Sequence, residues 1–214
     1  MPYAVIDTET TGFSPAKGDR MLEIAVVRLD DAGEVLDTWE TLLDPGCSVG
    51  ATHVHGITAA DVVGAPVFRE VAAHVTGLLA GHVVVGHNVD FDLRFLTAEL
   101  AAASVPLTLG GKLCTQRLAA DYLPGPKRTL AVCCEQAGIV NDHAHSALGD
   151  TLATAELFAF YLRHHGGSPP WAAAVARAAH ALPGTDLFAA LTAPPLPRTH
   201  TRTRTRTRTH SPAR

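Results

Sequence analysis

The first half of the chain alternates short apolar runs with turn residues. Residues 3–6 form an apolar run that ends in acids, which predicts a buried strand. Residues 21–30 and 35–44 predict two more strands, and Asp31-Ala32-Gly33 between them is typical of a tight turn. Together these segments predict a three-stranded antiparallel meander.

The second half changes to helical spacing of its apolar residues. Helices are predicted over 68–81, 90–103, 115–123 and 129–138, with a long one from about Ser146 to before Gly166. Residues 82–88 and a segment near 107–113 predict two further strands. The order predicts an α/β fold with a mixed five-stranded sheet flanked by helices.

The C-terminal part differs in character. Residues 1–165 are predicted to form the folded domain, and residues 166–197 a Pro/Ala-rich linker with a short helix near 171–182. Residues 198–214 are dominated by a Thr-Arg repeat with little to bury, which predicts disorder. The repeat is either a non-specific phosphate-attracting tail or a sequence without a role.

Composition indicates an ordinary globular chain. It has 214 residues, 47% hydrophobic and 18% charged. No apolar run approaches the roughly 20 residues that span a bilayer, and an acid at position 7 argues against a secretory signal. The four cysteines lack metal or disulfide spacing, so we expect reduced, mostly core cysteines in a cytoplasmic protein.

The net charge of −4 hides an asymmetry. Residues 1–197 carry 11 Lys and Arg against 21 Asp and Glu, whereas residues 198–214 carry six Arg and no acid. The acidic part of the chain is not expected to bind nucleic acid through its overall charge. If it acts on phosphates, divalent cations are the expected means of overcoming the repulsion.

A first pair of acids closes the first predicted strand. Asp7 and Glu9 are two positions apart in DTETTG and therefore face the same side of a strand. Two such carboxylates repel each other unless a cation lies between them, and their oxygens suit Mg²⁺ or Mn²⁺. The alternative is a pair of solvated acids at a strand end.

A second cluster, HAHSALGD, lies at the start of the long helix. His145 is predicted just before the helix, with Asp150 projecting from its second turn. A histidine beside a metal cluster can act as a general base toward water. The alternative is that His145 caps the helix and Asp150 is a surface residue.

The segment GHNVDFDLRFL carries two aspartates, Asp90 and Asp92, which point to opposite faces of a helix. Asp90 is predicted to be the N-cap, where Asp bonds free amides of the first turn. Asp92 is predicted to share a face with Phe95 and Leu96 and to point inward.

In this order and at these separations, DTETTG, HNVDFD and HSALGD resemble the three motifs of the DEDDh family of 3′–5′ exonucleases. The resemblance covers roughly residues 3–164 and implies an RNase H-like fold. By motif position it implies five catalytic residues: Asp7, Glu9, Asp92, His145 and Asp150.

The resemblance also implies the cofactors and the products. Asp7 is expected to bridge two divalent ions, Mg²⁺ or Mn²⁺, while Glu9 and Asp150 complete one site and Asp92 helps to hold the other. His145 is expected to take the proton from the attacking water. Nucleoside 5′-monophosphates would leave one at a time from a free 3′ end.

Five residues are expected to meet the terminal nucleotide: Thr10, Thr11, Gly12, Phe13 and His55. Gly12 would permit unusual dihedrals for a close backbone approach. Phe13 either stacks on the last base or packs in the core. His55, in a segment resembling one near the bound 3′ end, either contacts substrate or orders its loop, and His87 with Asn88 is expected to brace the second motif.

Three questions stay open from the sequence. DNA is favoured as substrate over RNA by resemblance only, because recognition of the 2′-OH depends on backbone placement. A non-catalytic nucleic-acid-binding module is the alternative from another class. A DNA polymerase or a sliding clamp is a candidate partner, since GTDLF at 184–188 ends like clamp-binding peptides but lacks their leading glutamine. The paired histidines lack the ligand spacing of a zinc site.

Overall fold

A computed structural model of the chain describes residues 3–180. Its centre is a five-stranded sheet in the order β3-β2-β1-β4-β5. β1 pairs antiparallel with β2 and parallel with β4, β2 pairs antiparallel with β3, and β4 pairs parallel with β5. The predicted meander and mixed sheet are confirmed. The strands are β1 (Tyr3–Thr10), β2 (Met21–Leu29), β3 (Val35–Leu42), β4 (Val83–Gly86) and β5 (Lys112–Cys114).

Helices cover both faces of this sheet. In chain order they are α1 (Thr52–His55), α2 (Phe68–Leu79), α3 (Val89–Ala102), α4 (Thr115–Tyr122), α5 (Leu130–Ala137), α6 (Ala147–His164) and α7 (Ala172–His180). Apolar residues of α2 and α3 pack on one face, and those of α4, α5, α6 and α7 pack on the other. The fold is therefore a three-layer α/β arrangement with a core on each side of the sheet.

β1 is the central strand, and its alternation divides these two cores. Tyr3 and Val5 belong to the core under α6, whereas Ala4 and Ile6 belong to the core under α3. Successive strand residues point to opposite faces, so Asp7 and Glu9 continue on the α6 side and Thr8 on the α3 side. This parity decides which helix each functional side chain of β1 can meet.

The predicted hairpin turn between β2 and β3 is present. Asp30 accepts hydrogen bonds at Oδ1 from the backbone N–H groups of Ala32 and Glu34, both at 2.9 Å. Gly33 follows with φ of 87°, a left-handed conformation in which a β-carbon would be strained.

Several predicted boundaries differ from the structure. β5 spans only Lys112–Cys114 rather than a strand near 107–113, because Pro106 and the Gly110-Gly111 pair precede it and disfavour regular pairing. Helix α1 and a 3₁₀ turn over Pro15–Lys17 were not predicted, since one turn is too short to show a helical period. Of the four free cysteines, Cys133 and Cys134 are buried, Cys114 is half-buried and Cys47 is exposed.

The packed core includes part of α7, which lies beyond the predicted domain limit at residue 165. Trp171, Ala174 and Ala178 are buried in the core under α6, and the Trp171 indole N–H donates to the Tyr3 hydroxyl at 3.0 Å. A β-carbon on Gly110 would lie 2.1 Å from the Ala178 Cα, so glycine is required for this close approach. Residues 181–214, with the predicted GTDLF segment and Thr-Arg tail, lie outside the described residues.

Within residues 3–180, no helix combines the length and the apolar character that crossing a membrane requires.

We expect Trp171→Ala to lower the free energy of unfolding by about 3–5 kcal/mol, because it removes a buried indole and leaves a cavity. Trp171→Phe keeps most of that volume and should cost less. Phe13→Ala is the matched control, since Phe13 is 80% exposed and its removal should change stability by under about 0.5 kcal/mol. Urea unfolding followed by circular dichroism measures all three; equal stability of Trp171→Ala and Phe13→Ala would show that α7 does not anchor to the domain.

Candidate active site

The first motif lies where β1 leaves the sheet. Asp7 pairs in register with Ala25 of β2, and Glu9 pairs with Glu23, before the register shifts between Glu9 and Thr10. Both carboxylates are half-buried. The strand parity directs them to the α6 side, because they continue the series that begins at Tyr3 and Val5.

Asp150 reaches the same place from the N-terminus of α6. Its Oδ1 accepts from the Asn141 side-chain amide at 2.7 Å, and its Oδ2 accepts from the His145 backbone N–H at 3.2 Å. These two bonds hold the carboxylate in one orientation. One ligand oxygen each of Asp7, Glu9 and Asp150 lies within 4.8 Å of the others, which is a spacing that a cation can bridge.

Asp92 approaches from the other side of β1. It is in the first turn of α3, is only 3% exposed, and accepts a hydrogen bond at Oδ1 from the Thr8 hydroxyl at 2.8 Å. Thr8 faces α3 because its parity is opposite to that of Asp7 and Glu9. The predicted inward direction of Asp92 is thus what the structure shows.

The pKa values of Asp7 and Asp92 are raised in this cluster. Burial raises the pKa of Asp7 well above its ordinary value, and the charges of Asp92, Asp150, Glu9 and Glu23 add to this effect. Burial raises the pKa of Asp92 to about 7, although its hydrogen bond from Thr8 acts in the opposite direction. A divalent cation would offset both the burial of these charges and the repulsion between them. Carboxylate oxygens are hard ligands, so these residues fit Mg²⁺ or Mn²⁺.

Glu23 is a fifth acid beside this cluster, and the sequence reasoning missed it. It is 6% exposed on β2, and its Oε2 accepts from the Ala147 backbone N–H at 3.0 Å. The bond ties the sheet to the first residue of α6, where a carboxylate is also favoured by the helix dipole. The available signal was one acid inside the otherwise apolar run MLEIAVV.

Asn141 was also missed. Its amide is the side-chain partner of Asp150. It precedes the third motif in a turn, and the sequence offers no signal that separates it from an ordinary turn asparagine.

The third motif begins with a strained turn. His145 is exposed and has φ of 64°, a left-handed conformation that is uncommon outside glycine. The helix cap is Ser146, whose Oγ accepts from the Gly149 N–H at 3.2 Å, so the alternative in which His145 caps the helix is wrong. Asp150 lies in the first turn of α6 rather than the predicted second turn.

The loop after β1 is held by its own threonines. The Thr10 hydroxyl donates to the Gly12 carbonyl at 2.6 Å, and the Thr11 hydroxyl accepts from the Arg20 N–H at 3.0 Å. Gly12 does not adopt a positive φ, which corrects the predicted reason for glycine here. A β-carbon on Gly12 would lie 2.4 Å from Asp19 Oδ1, so the carboxylate that packs against it is the reason.

Phe13 and His55 have opposite environments. Phe13 is 80% exposed, so core packing, one of its two predicted roles, is wrong. His55 is 2% exposed, and its Nδ1 accepts from the Ile57 N–H at 3.0 Å, a bond that orders the loop after α1. The segment before α1 lies against the first motif, because a β-carbon on Gly50 would lie 1.9 Å from the Thr11 carbonyl oxygen.

His87 and Asn88 support the start of α3. His87 contacts the Thr115 hydroxyl through Nδ1 at 3.0 Å and the Arg128 carbonyl through Nε2 at 2.9 Å. Burial lowers its pKa, which favours the neutral ring. Asn88 occupies the N-cap position in a left-handed conformation with φ of 70°.

The predicted N-cap role of Asp90 is therefore wrong, because the helix begins at Val89 and Asp90 is its second residue. Asp90 instead forms ion pairs with Lys112 and with Arg117, the latter at 2.6 Å. The hydrogen bond from Lys112 is the main reason that the pKa of Asp90 is lowered.

Comparison with known proteins places this chain in a family. The family model RNase_T, described as an exonuclease, matches residues 4–158. A DNA polymerase III subunit epsilon-like protein of Rhodobacter capsulatus is 38% identical over 172 residues, which are 74% of this chain and 23% of that protein. The DNA polymerase III subunit epsilon of Buchnera aphidicola is 30% identical over 165 residues, which are 72% of this chain and 70% of that protein.

Solved structures agree with the fold. Exonuclease X in complex with 5′ overhanging duplex DNA superposes with a TM-score of 0.64 at 26% identity, covering 81% of this chain and 98% of that one. The nuclease domain of 3′hExo, a DEDDh family member, superposes with a TM-score of 0.65 at 19% identity, covering 75% and 91%. The chain belongs to the exonuclease family, and the predicted family and RNase H-like fold are confirmed.

We expect a divalent ion to stabilise the folded chain, because it would relieve the mutual repulsion of the clustered acids. At 100 times Kd, binding adds about 2.7 kcal/mol, which raises Tm by roughly 5–10 °C for a chain of this size. Thermal unfolding with Mg²⁺, with Mn²⁺ and with EDTA measures the shift.

Asp7→Asn should melt higher than the wild type in EDTA, because one repelling charge is gone, and should lose most of the metal response. Asp121→Asn makes the same chemical change on the exposed face of α4 and should keep the full response. An equal metal-induced shift in both variants would place the metal elsewhere.

Proposed function

We propose that this chain is a metal-dependent 3′–5′ exonuclease that hydrolyses DNA and releases nucleoside 5′-monophosphates, in proofreading or repair. The observation that carries the proposal is the convergence of Asp7, Glu9 and Asp150, with ligand oxygens within 4.8 Å of one another, in a chain of the exonuclease family. Asp92, buried on the other side of β1, supplies the fourth acid.

The acids would hold two ions, Mg²⁺ or Mn²⁺. Asp7 would contact both ions, and its central position is supported by the effect of all the other acids on its pKa. Glu9 and Asp150 would complete one site, and Asp92 would help to hold the second. When bound, such ions stabilise the negative charge that develops on a phosphate under attack and on the leaving 3′ oxygen.

His145 is proposed as the general base. It is exposed, and its backbone N–H is bonded to Asp150. This bond fixes the backbone of His145 next to Asp150. Its imidazole ring would then take a proton from water beside the acids. The left-handed backbone of His145 suits a functional position, where strain is tolerated because the surrounding structure imposes it.

The loop after β1 and the segment near α1 are proposed to receive the 3′-terminal nucleotide. Thr10, Thr11 and Gly12 present a braced backbone beside Glu9. Phe13 is free of the core, so its ring can stack on the last base, a contact worth roughly 1–3 kcal/mol. His55 holds the neighbouring loop in place.

DNA is proposed over RNA because relatives at 26% identity or more include DNA polymerase III epsilon subunits and an exonuclease in complex with duplex DNA. The 3′hExo nuclease domain, which is bound to rAMP, is 19% identical. RNA trimming remains the second candidate within the same chemistry. A non-catalytic binding module is disfavoured, because all five catalytic-type residues are present.

A polymerase assembly is proposed as the partner, from the epsilon-like relatives alone. The GTDLF segment at 184–188 is the candidate for sliding-clamp contact and lies outside the described residues. Cytoplasmic location stays a prediction.

The decisive experiment digests three matched substrates with Mn²⁺: 5′-labelled single-stranded DNA, the same strand in a 3′-mismatched duplex, and RNA of the same sequence. We expect stepwise shortening from the 3′ end of DNA, with complete loss of this activity in EDTA.

Asp92→Asn should be inactive yet folded, since it removes only a buried charge and its oxygen can still accept from Thr8. Asp121→Asn should match the wild type. Faster cleavage of RNA than of DNA would favour RNA trimming. Full activity of Asp92→Asn would contradict the proposed role of Asp92 in the site.

His145→Ala tests the base separately from the metal site. We expect the rate to fall by about 10²–10⁴-fold, the usual contribution of a general base, while the metal-induced rise in Tm persists. His143→Ala is the matched control, because His143 is exposed in the same turn and its carbonyl, not its ring, bonds Ser146. An unchanged rate in His145→Ala would remove its role as base.

A further inference from the structure

A basic groove lies beside the N-terminal half of α3. It has a volume of about 660 Å³, and its charged lining consists of Arg94, Lys112, Arg117 and the single acid Asp90. The cations come from three different elements, namely α3, β5 and α4. The side chains of Lys112 and Arg117 are 51% and 73% exposed, so their charges face solvent.

Local contacts hold these cations in place. Asp90 accepts from both Lys112 and Arg117, the latter at 2.6 Å. The guanidinium carbon of Arg94 lies 5.4 Å from the centroid of the Phe91 ring, within the range of a cation–π contact. One acid therefore aligns two cations, and a ring supports the third, which leaves an excess of positive charge along the groove.

This excess is unusual for the molecule. Residues 1–197 carry 11 cationic and 21 acidic side chains. Three smaller cavities have balanced or acidic linings: two cations face two acids in one, one faces one in another, and one faces three acids in the third. The groove therefore concentrates positive charge in an acidic body.

The groove is close to the catalytic acids without being part of their cluster. Asp90 and Arg94 lie two residues before and after Asp92, so each is rotated by roughly 200° and lies on the opposite face of α3. The helix diameter, about 10–12 Å with side chains, separates the two faces. A phosphate in the groove would belong to a nucleotide beyond the one being removed.

We propose that this groove binds the phosphodiester backbone of the nucleic acid substrate away from its 3′ end. This inference rests on the proposed function and adds to it the element that holds the rest of the strand. Arg and Lys are the side chains that contact phosphates without reading the sequence, and their charge-assisted bonds to phosphate oxygens are strong. The groove thus allows an acidic protein to retain a long polyanion while the metal site holds only its end.

The test compares the double variant Arg94→Gln/Arg117→Gln with the control Arg69→Gln/Arg163→Gln, which removes the same charge from exposed positions on α2 and α6. Binding of a 30-nucleotide single strand with nuclease-resistant phosphorothioate linkages is measured against salt concentration. Each lost phosphate contact should lower the slope of log K against log[salt] by about 0.7, so the groove variant should lose about 1.4 and the control nothing.

A duplex of the same strand is measured in parallel. Loss of affinity for both substrates assigns the groove to the cleaved strand, and loss of affinity for the duplex alone assigns it to the complementary strand.

Kinetics separate the groove from the catalytic centre. The groove variant should raise KM for the 30-nucleotide strand with little change in kcat, and should hydrolyse the p-nitrophenyl ester of thymidine 5′-monophosphate like the wild type, because that substrate ends before the groove. Arg94→Lys/Arg117→Lys should restore much of the affinity by restoring charge.

Equal salt slopes and equal KM in the groove and control variants would overturn the proposal that the groove binds the substrate backbone, provided the wild type is active. A wild type that hydrolyses neither the strand nor the ester would instead overturn the proposed function.

Discussion

The mutual repulsion of acids at the end of β1 is the constraint on which the rest of the structure depends. Asp7 is surrounded by Asp92, Asp150, Glu9 and Glu23, and each of these charges raises its pKa further. Such a cluster opposes folding unless other contacts hold it together and a cation neutralises it. The hydrogen bonds from Thr8, Asn141 and Ala147 hold the acids in place. The carboxylate oxygens are suited to binding the cation that would neutralise them.

The acids reach this cluster from elements on both faces of the sheet. Strand parity sends Asp7 and Glu9 toward α6, and sends Thr8 toward α3, where it bonds Asp92. Glu23 ties β2 to the start of α6, so the helix that carries Asp150 is anchored to the same strands. The large apolar cores on both sides of the sheet supply the stability that lets these costs be tolerated.

Electrostatics also divide the surface beyond the cluster. The acidic centre becomes attractive to phosphate only with cations bound, whereas the groove of Arg94, Lys112 and Arg117 is positive without them. Helix α3 separates the two, since Asp92 and Asp90 lie on opposite faces of it. The two aspartates of one short motif therefore have different surroundings: Asp92 lies beside the acidic cluster, and Asp90 aligns two cations.

The sequence alone determined the family, the mixed sheet and the residues of the three motifs, because motif spacing and strand periodicity are local properties. The pairing of Asp7 with Glu9 followed from a period of two, and the inward direction of Asp92 from its helical position. Tertiary structure decided what depends on distant neighbours. Glu23 bonds Ala147 across 124 positions, Trp171 bonds Tyr3 across 168, and Lys112 of β5 reaches Asp90 of α3. No local pattern encodes such contacts, since they arise only when the sheet and both helix layers are assembled.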